Sequence, residues 1–308
     1  MVRFIDDHRA DHGVEPICAV LPIAPSVYYE AKAREQDPER LPERAKRDAV
    51  LKPIIQRLWD QNEQVYGAKK VWKQLKREKQ PTDKSVARCT VARLMADLGL
   101  YGAIRGKKFV KTTTPDEVSP RPMDLVSRNF RASRPNQLWL SDLTYVPTRS
   151  GYRFVAFVID AYADRIVGWR AGSSLRTDLA LDALEQAIYQ RQCSDGELVH
   201  HSDRGIQYLS IRYTERLAEA GIAPSVGSVG DSYDNALAES VIGLYKTELI
   251  NRKGPWTCLE DLEFATLRWV EWFNNRRLLE RIGYVPPAEF EAAYYAKHEA
   301  PAELAGVN

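Results

Sequence analysis

The apolar positions change period partway along the chain. Through the first hundred residues they recur at helical spacing. "VEPICAVLPIAPSVYYEAKA" predicts a short apolar helix, a turn at Pro22 and Pro25, and a second helix with Ser26 as N-cap, a helix-turn-helix in outline. "RDAVLKPIIQRLWDQN" predicts another helix. "YGAKKVWKQLKRE" turns Val71, Leu75 and Trp72 inward and Lys69, Lys70, Lys73, Lys76 and Arg77 outward. "KSVARCTVARLMADLGLYGAIRGKK" is an apolar helix ending at Gly99, then a basic tail of Arg105, Lys107 and Lys108. From residue 138 the pattern becomes that of strands. "LWLSDLTYVP" alternates, and "YRFVAFVIDAY" is a nearly continuous β-branched and aromatic run, as in a central strand. "DRIVGWRAG" makes a third strand, and "TDLALDALEQAIYQRQ" a helix with Thr177 or Asp178 as N-cap. "ELVHHSD" is a short strand, "LSIRYTERLAEAGI" a helix closed by Gly221, and "APSVGSVGDSY" leads into "DNALAESVIGLYKTELI". A last helix covers "LEDLEFATLRWVEWFNNRR".

This order predicts an all-helical region over residues 1–110, a Thr-, Ser- and Pro-rich surface linker over 111–136, and an α/β domain with a mixed sheet over 137–292. Residues 293–308 form a tail. Net charge over the 308 residues is only +2, but it is unevenly spread. Residues 1–113 hold 23 Lys and Arg against 15 Asp and Glu, leaving 21 against 27 for the remainder. A basic front half on an acidic back half suits a polyanion-binding module joined to something that needs carboxylates. Several basic helices in one region point to nucleic acid, with Lys69, Lys70, Lys73, Arg105, Lys107 and Lys108 as the candidate contacts. DNA affinity is therefore expected mainly in residues 1–113. The four cysteines form no CxxC pair, and His8 and His12 lack the partners of a zinc site. No apolar run approaches the ~18 residues of a membrane span, and the charged start is unlike a signal peptide. A cytoplasmic protein is expected.

The late helix carries Glu239 among Ala236, Ala238 and Ser240, with Lys246 seven positions on, close to two helical turns. One helix thus presents an acid and a base on nearly the same face. Asp142 lies inside the first strand and Asp203 just after the fourth. If those strands are neighbours the two acids sit side by side, and a helix crossing that edge could add Glu239. Three such carboxylates repel and raise one another's pKa, and a hard divalent cation, Mg²⁺ or Mn²⁺, resolves the repulsion. Singly, each has a plainer reading: a polar strand residue, a turn, a solvated helix position. Asp160, ending "FVAFVID", competes as a ligand, and spacing alone does not choose between them.

These motifs resemble a known family. "HSDRGIQY", "DNALAES" and the lysine seven residues after the glutamate are similar to the integrase domain of insertion-sequence transposases, the second-frame (OrfB) product of the IS-three group, relatives of retroviral integrases. The 35 residues between Asp203 and Glu239 match that group's acid spacing. "VYGAKKVWKQLKRE" and "CTVARLMADLGL" resemble its N-terminal helical region, so the likeness covers nearly the whole chain. The resemblance implies an RNase H-like domain in which Asp142, Asp203 and Glu239 bind two Mg²⁺ or Mn²⁺ ions. It implies that Lys246 steadies the DNA end, and it demotes Asp160 to a structural role. In "NNRRLLERIGY" the pattern departs: Leu279 stands where the family usually has His, and Ile282 where it has Leu. The implied activity is cleavage of element ends by water, then strand transfer by the freed 3′-OH. The implied partners are double-stranded DNA, the upstream-frame (OrfA) protein or a fusion with it, and further copies of the chain on DNA. A non-catalytic helix-turn-helix factor and a purely hydrolytic nuclease are the alternatives.

Overall fold

The computed structural model describes residues 1–78, 85–104, 106, 123–126, 130–192, 196–203, 205–227 and 235–299. Arg105, Lys107 and Lys108, most of the 111–136 linker and the end of the 293–308 tail lie outside the described residues. Helices α1 (Val2–His12), α2 (Val14–Val20), α3 (Pro25–Gln36), α4 (Glu43–Gln61), α5 (Ala68–Arg77) and α6 (Arg88–Asp97) come first. Pro25 opens α3 with Ala24 as N-cap, so Ser26 lies inside the first turn instead of capping it. Proline's fixed φ and missing N–H suit that first position. Gly99, at φ +67°, ends α6 as expected.

Helices α1–α3 close over a small core of Ile5, Ile17, Cys18 and Tyr28. Helices α4–α6 instead bury Leu51, Leu58, Val71 and Leu94 in one continuous core with the α/β domain. Tyr66, after α4, locks the two together: its hydroxyl accepts from the Leu278 backbone N–H at 2.6 Å and donates to the Arg276 carbonyl at 3.3 Å.

The α/β domain contains β1 (Leu138–Thr148), β2 (Gly151–Asp160), β3 (Arg165–Gly172), α7 (Thr177–Arg191), β4 (Val199–Ser202), the short α8 (Ile206–Leu209), α9 (Ile211–Glu219), β5 (Ala223–Val226) and α10 (Ala236–Tyr245). The sheet order is β3-β2-β1-β4-β5, antiparallel through β1 and parallel beyond it. It is the mixed sheet of an RNase H-like domain. Arg176 is the N-cap of α7, which puts Thr177 and Asp178 in the first turn, where the Asp178 charge still favours the helix N-terminus. One sheet face buries Trp139, Ala156 and Val158 under α7 and α9. Gly168 lets α7 approach β3, since a Cβ there would lie 2.1 Å from the Ala183 carbonyl oxygen. The other face buries Leu138, Leu140 and Phe157 under α10 and α12 (Leu259–Asn275), with the short exposed α11 (Asn251–Lys253) between them in sequence. A final helix, α13 (Pro287–Glu299), packs on α12. No helix among the described residues is long and apolar enough to cross a membrane.

Candidate active site

Register brings the first two acids together. β1 and β4 run parallel with Ser141 opposite Ser202, so Asp142 and Asp203 are the next residues on neighbouring chains, strands that lie roughly 4.8 Å apart. By alternation Asp142 follows Leu138 and Leu140 on the face covered by α10. Both acids line a cleft of about 230 Å³ with Tyr145, Phe154, Ile206 and Gln207. The Leu143 N–H donates to Asp142 Oδ1 at 2.7 Å, and the Gly205 N–H to Asp203 Oδ1 at 3.0 Å. Burial, then the charges of Asp203 and Glu239, hold the Asp142 carboxyl well above the usual carboxylate range.

Asn235 ties α10 to the acid strand. Its side-chain amide is buried and donates to the Ser141 carbonyl at 2.9 Å, while the Asn235 backbone carbonyl accepts from the Glu239 N–H at 3.0 Å. Glu239, in the first turn of α10, is thereby anchored beside Asp142, and Ala238 is small enough to sit fully buried under the turn. Among the described residues no group of three or more His, Cys, Asp or Glu side chains is close enough to share one metal ion. The structure thus brings Asp142 and Asp203 into one cleft and places Glu239 within electrostatic reach, short of a closed ligand shell. The donor set, carboxylate oxygens in mutual repulsion, suits a hard divalent cation.

Under the acids lies a neutral network. Buried His200 meets Ser141 Oγ at 2.7 Å and the Tyr213 hydroxyl at 3.0 Å through Nε2. Burial pushes its imidazole down to about 3, which keeps it uncharged. Tyr208 is also buried there, its phenol pushed up by burial, then by Tyr213 and the two acids. These side chains add no charge to the site and stiffen its floor.

Lys246 departs from the geometry the spacing implies. The α-helix stops at Tyr245, and Lys246–Ile250 form a π-helical turn. The half-buried ammonium lies 4.8 Å from the Tyr145 ring centroid, on the same strand as Asp142. Burial lowers its pKa, and the Asp142 charge opposes that shift.

The basic face of α5 has partners inside the chain. Lys69 Nζ is 2.5 Å from Glu280 Oε1, Lys73 lies over Tyr284, and Arg77 pairs with Glu289. Lys70 is sunk near Tyr66 and Arg277, where burial, then the Arg277 charge, lowers its pKa to about 7. Periodicity marked these positions as leaving the α5 core, but could not show that residues two hundred positions later cover them.

Asp160 lies three residues back along the β1–β2 ladder, opposite Trp139, while Asp142 faces Phe157. It is fully buried, and each oxygen takes one backbone N–H: Asn136 on Oδ2 at 2.8 Å and Tyr162 on Oδ1 at 2.9 Å. Asp160→Asn replaces one acceptor with an NH₂ facing a donor. Such a clash costs about 1–3 kcal/mol, so chemical denaturation should show a loss of that size, with cleavage by the folded fraction unchanged. A stable but inactive variant would make Asp160 a site residue.

The "NNRR" stretch also has a structural role. The Asn274 side chain accepts from the Ile166 N–H at 3.0 Å and donates to the Ile166 carbonyl at 2.8 Å, covering the β3 edge. Arg277 and Glu248 form a buried pair through 3.1, 2.9 and 2.5 Å contacts. Leu279 is buried in the main core, an apolar place for the apolar residue that departs from the family pattern.

Comparison with known proteins agrees with this architecture. An HTH-like domain model matches residues 45–108, which holds α4–α6 rather than the α2–α3 pair. Integrase core domain models match residues 132–232 and 220–287. The chain is 53% identical over 296 residues to the transposase for insertion sequence element IS629 of Shigella sonnei, covering 96% of this chain and 97% of that one. It is 48% identical over 192 residues to the transposase for insertion sequence element IS3411 of Escherichia coli, covering 62% and 78%. It is 30% identical over 290 residues to the transposase InsF for insertion sequence IS3A of Escherichia coli K12, covering 94% and 97%.

Proposed function

Because the chain belongs to the second-frame transposases of the IS-three group, DNA transposases with an integrase core, we propose that Asp142, Asp203 and Glu239 are its catalytic acids and the ligands of two divalent ions. The observation that carries this reading is the meeting of Asp142, inside β1, with Asp203, just past the end of β4, where burial and the charges of Asp203 and Glu239 raise the pKa of the Asp142 carboxyl. Bound Mg²⁺ or Mn²⁺ would activate the attacking oxygen and neutralise charge on the leaving one.

The chain's own residues do the rest. The Leu143 and Gly205 N–H groups orient the Asp142 and Asp203 carboxylates. Asn235 holds the Glu239 helix against β1. In the first step a water oxygen attacks phosphorus and the 3′-oxygen leaves, giving a 3′-OH and a 5′-phosphate. In the second, that 3′-OH attacks a target phosphodiester and displaces its 3′-oxygen. One site serves both because only the nucleophile changes. Membership of an enzyme family sets aside the non-catalytic reading, and joining distinguishes a transposase from a purely hydrolytic nuclease. The double-stranded DNA ends, the upstream-frame protein and further copies of the chain remain the partners of this reading, in the cytoplasm of a bacterium.

Lys246 is assigned to the DNA phosphate beside the cut, acting as a compact point charge. Its place over Tyr145 supports this role by holding the ammonium at the rim of the acid cleft. Lys246→Ala should cut end cleavage roughly tenfold, the worth of one charge-assisted contact, and raise the DNA concentration needed, with Mn²⁺ affinity nearly unchanged. Cleavage that is unaltered across DNA concentrations would remove Lys246 from the site.

A further inference from the structure

A cavity of about 940 Å³ opens on the other flank of α10, away from Glu239. Ala236, Leu237, Ser240, Val241 and Leu244 form one wall of it. On a helical wheel this face begins about 60° round from Glu239, at Ala236, and exposed Ser240 belongs to it. The opposite walls bring in Phe130, Tyr162 and Phe290, with the Tyr162 and Phe290 rings 5.1 Å apart. The size is at the upper end for a small-molecule or nucleotide site.

The charges lining it are unbalanced. Asp164 is paired with Arg281, Glu280 with Lys69, and Arg277 with Glu248. Lys70 and Arg131 have no hydrogen-bonded or ion-paired partner among the described residues. An exposed guanidinium and a buried amine that an anion would recharge, beside aromatic walls, match one ligand chemistry: an anionic phosphate carrying a flat apolar ring. A phosphate alone would not use the rings, and an apolar segment would leave the cations uncompensated.

We propose that this cavity is a nucleotide subsite, taking one unstacked nucleotide of the DNA that passes the acids, with its base on Phe130, Tyr162 and Phe290 and its phosphate on Lys70 and Arg131. The inference rests on the reading of the chain as a DNA-handling enzyme and adds to it a place for an unpaired base. Any base suits such walls, because every base has a π-face. An incoming phosphate would also favour the charged form of Lys70, which burial now disfavours.

The test is anisotropy binding of the full chain, in EDTA, to a labelled blunt duplex and to the same duplex with a two-nucleotide 5′-phosphorylated single-strand extension. Wild type should prefer the extended duplex by about tenfold, the scale of one base–aromatic stack. Phe130→Ala and Arg131→Ser should each remove most of that preference while leaving blunt-duplex affinity unchanged. Arg131 is exposed, so its variant should fold even if a cavity-wall variant does not. Asp142→Asn should keep the preference, which separates this proposal from the acid assignment. Equal affinity for the two duplexes in wild type would overturn the subsite. So would a preference that survives in both variants, or variants that alter only self-association in sedimentation and thereby mark the cavity as a protein interface.

Discussion

Asp142→Asn, Asp203→Asn and Glu239→Gln should each lower DNA cutting and joining by roughly a thousandfold or more, because each removes several kcal/mol of metal-borne transition-state stabilisation. Each keeps the shape of the side chain and deletes its charge, so DNA binding and folding should persist. The electrostatics add a second signature. Burial and two neighbouring acids raise the folded-state pKa of Asp142. A carboxyl with a raised folded pKa binds its proton better in the native state, so its charge lowers stability once pH exceeds the unfolded value of about 4. Without metal, Asp142→Asn should therefore melt higher than wild type at pH 7, and the gap should close as pH falls toward 4. Added Mn²⁺ should raise the melting temperature of wild type far more than that of the variant. A wild-type-like rate in any of the three would remove that residue from the site.

The largest stability effect is expected at Arg277. Its guanidinium and the Glu248 carboxylate are both almost fully buried, at 4% and 6% side-chain exposure, and bonded through three contacts. Arg277→Met strands the carboxylate in the core, which costs about 3–5 kcal/mol. The double variant Arg277→Met, Glu248→Gln should recover much of that loss, because no buried charge is left alone. Urea unfolding of the single and double variants measures both. Since Glu248 lies in the π-helical turn that starts at Lys246, this pair also steadies the lysine's backbone. A single variant as stable as wild type would show that the pair is not needed to hold the turn.

Much of this arrangement was legible in the chain. The change from helical to strand period marked where β1 begins, and the strand and helix order implied a mixed sheet. The neighbouring of Asp142 and Asp203 followed from that order once the first and fourth strands pair, as β1 and β4 do. Three features were not legible, two of them because a distant segment decides them. Asn235 was visible in "DNALAES", but its bond to the Ser141 carbonyl depends on a strand ninety-four residues away. The lysines of α5 read as solvent-facing because helical period reports one core, not a second contact made by Glu280, Tyr284 and Glu289. The π-helical turn at Lys246 breaks a pattern that sequence spacing carries through without a sign. Caps were misplaced by a residue or two at α3 and α7, where an alanine and an arginine took the N-cap positions that hydroxyl and carboxylate residues usually hold.

The central claim is that one carboxylate site both cuts and joins DNA with divalent metal. The direct measurement incubates the purified chain, wild type or Asp142→Asn, with end-labelled element DNA and a target duplex, in Mg²⁺ or Mn²⁺ and in EDTA. The account predicts nicked ends and longer joined strands from wild type only with metal, and neither from Asp142→Asn although it still binds the DNA. Nicking and joining by Asp142→Asn at the wild-type rate, or by wild type in EDTA, would contradict it.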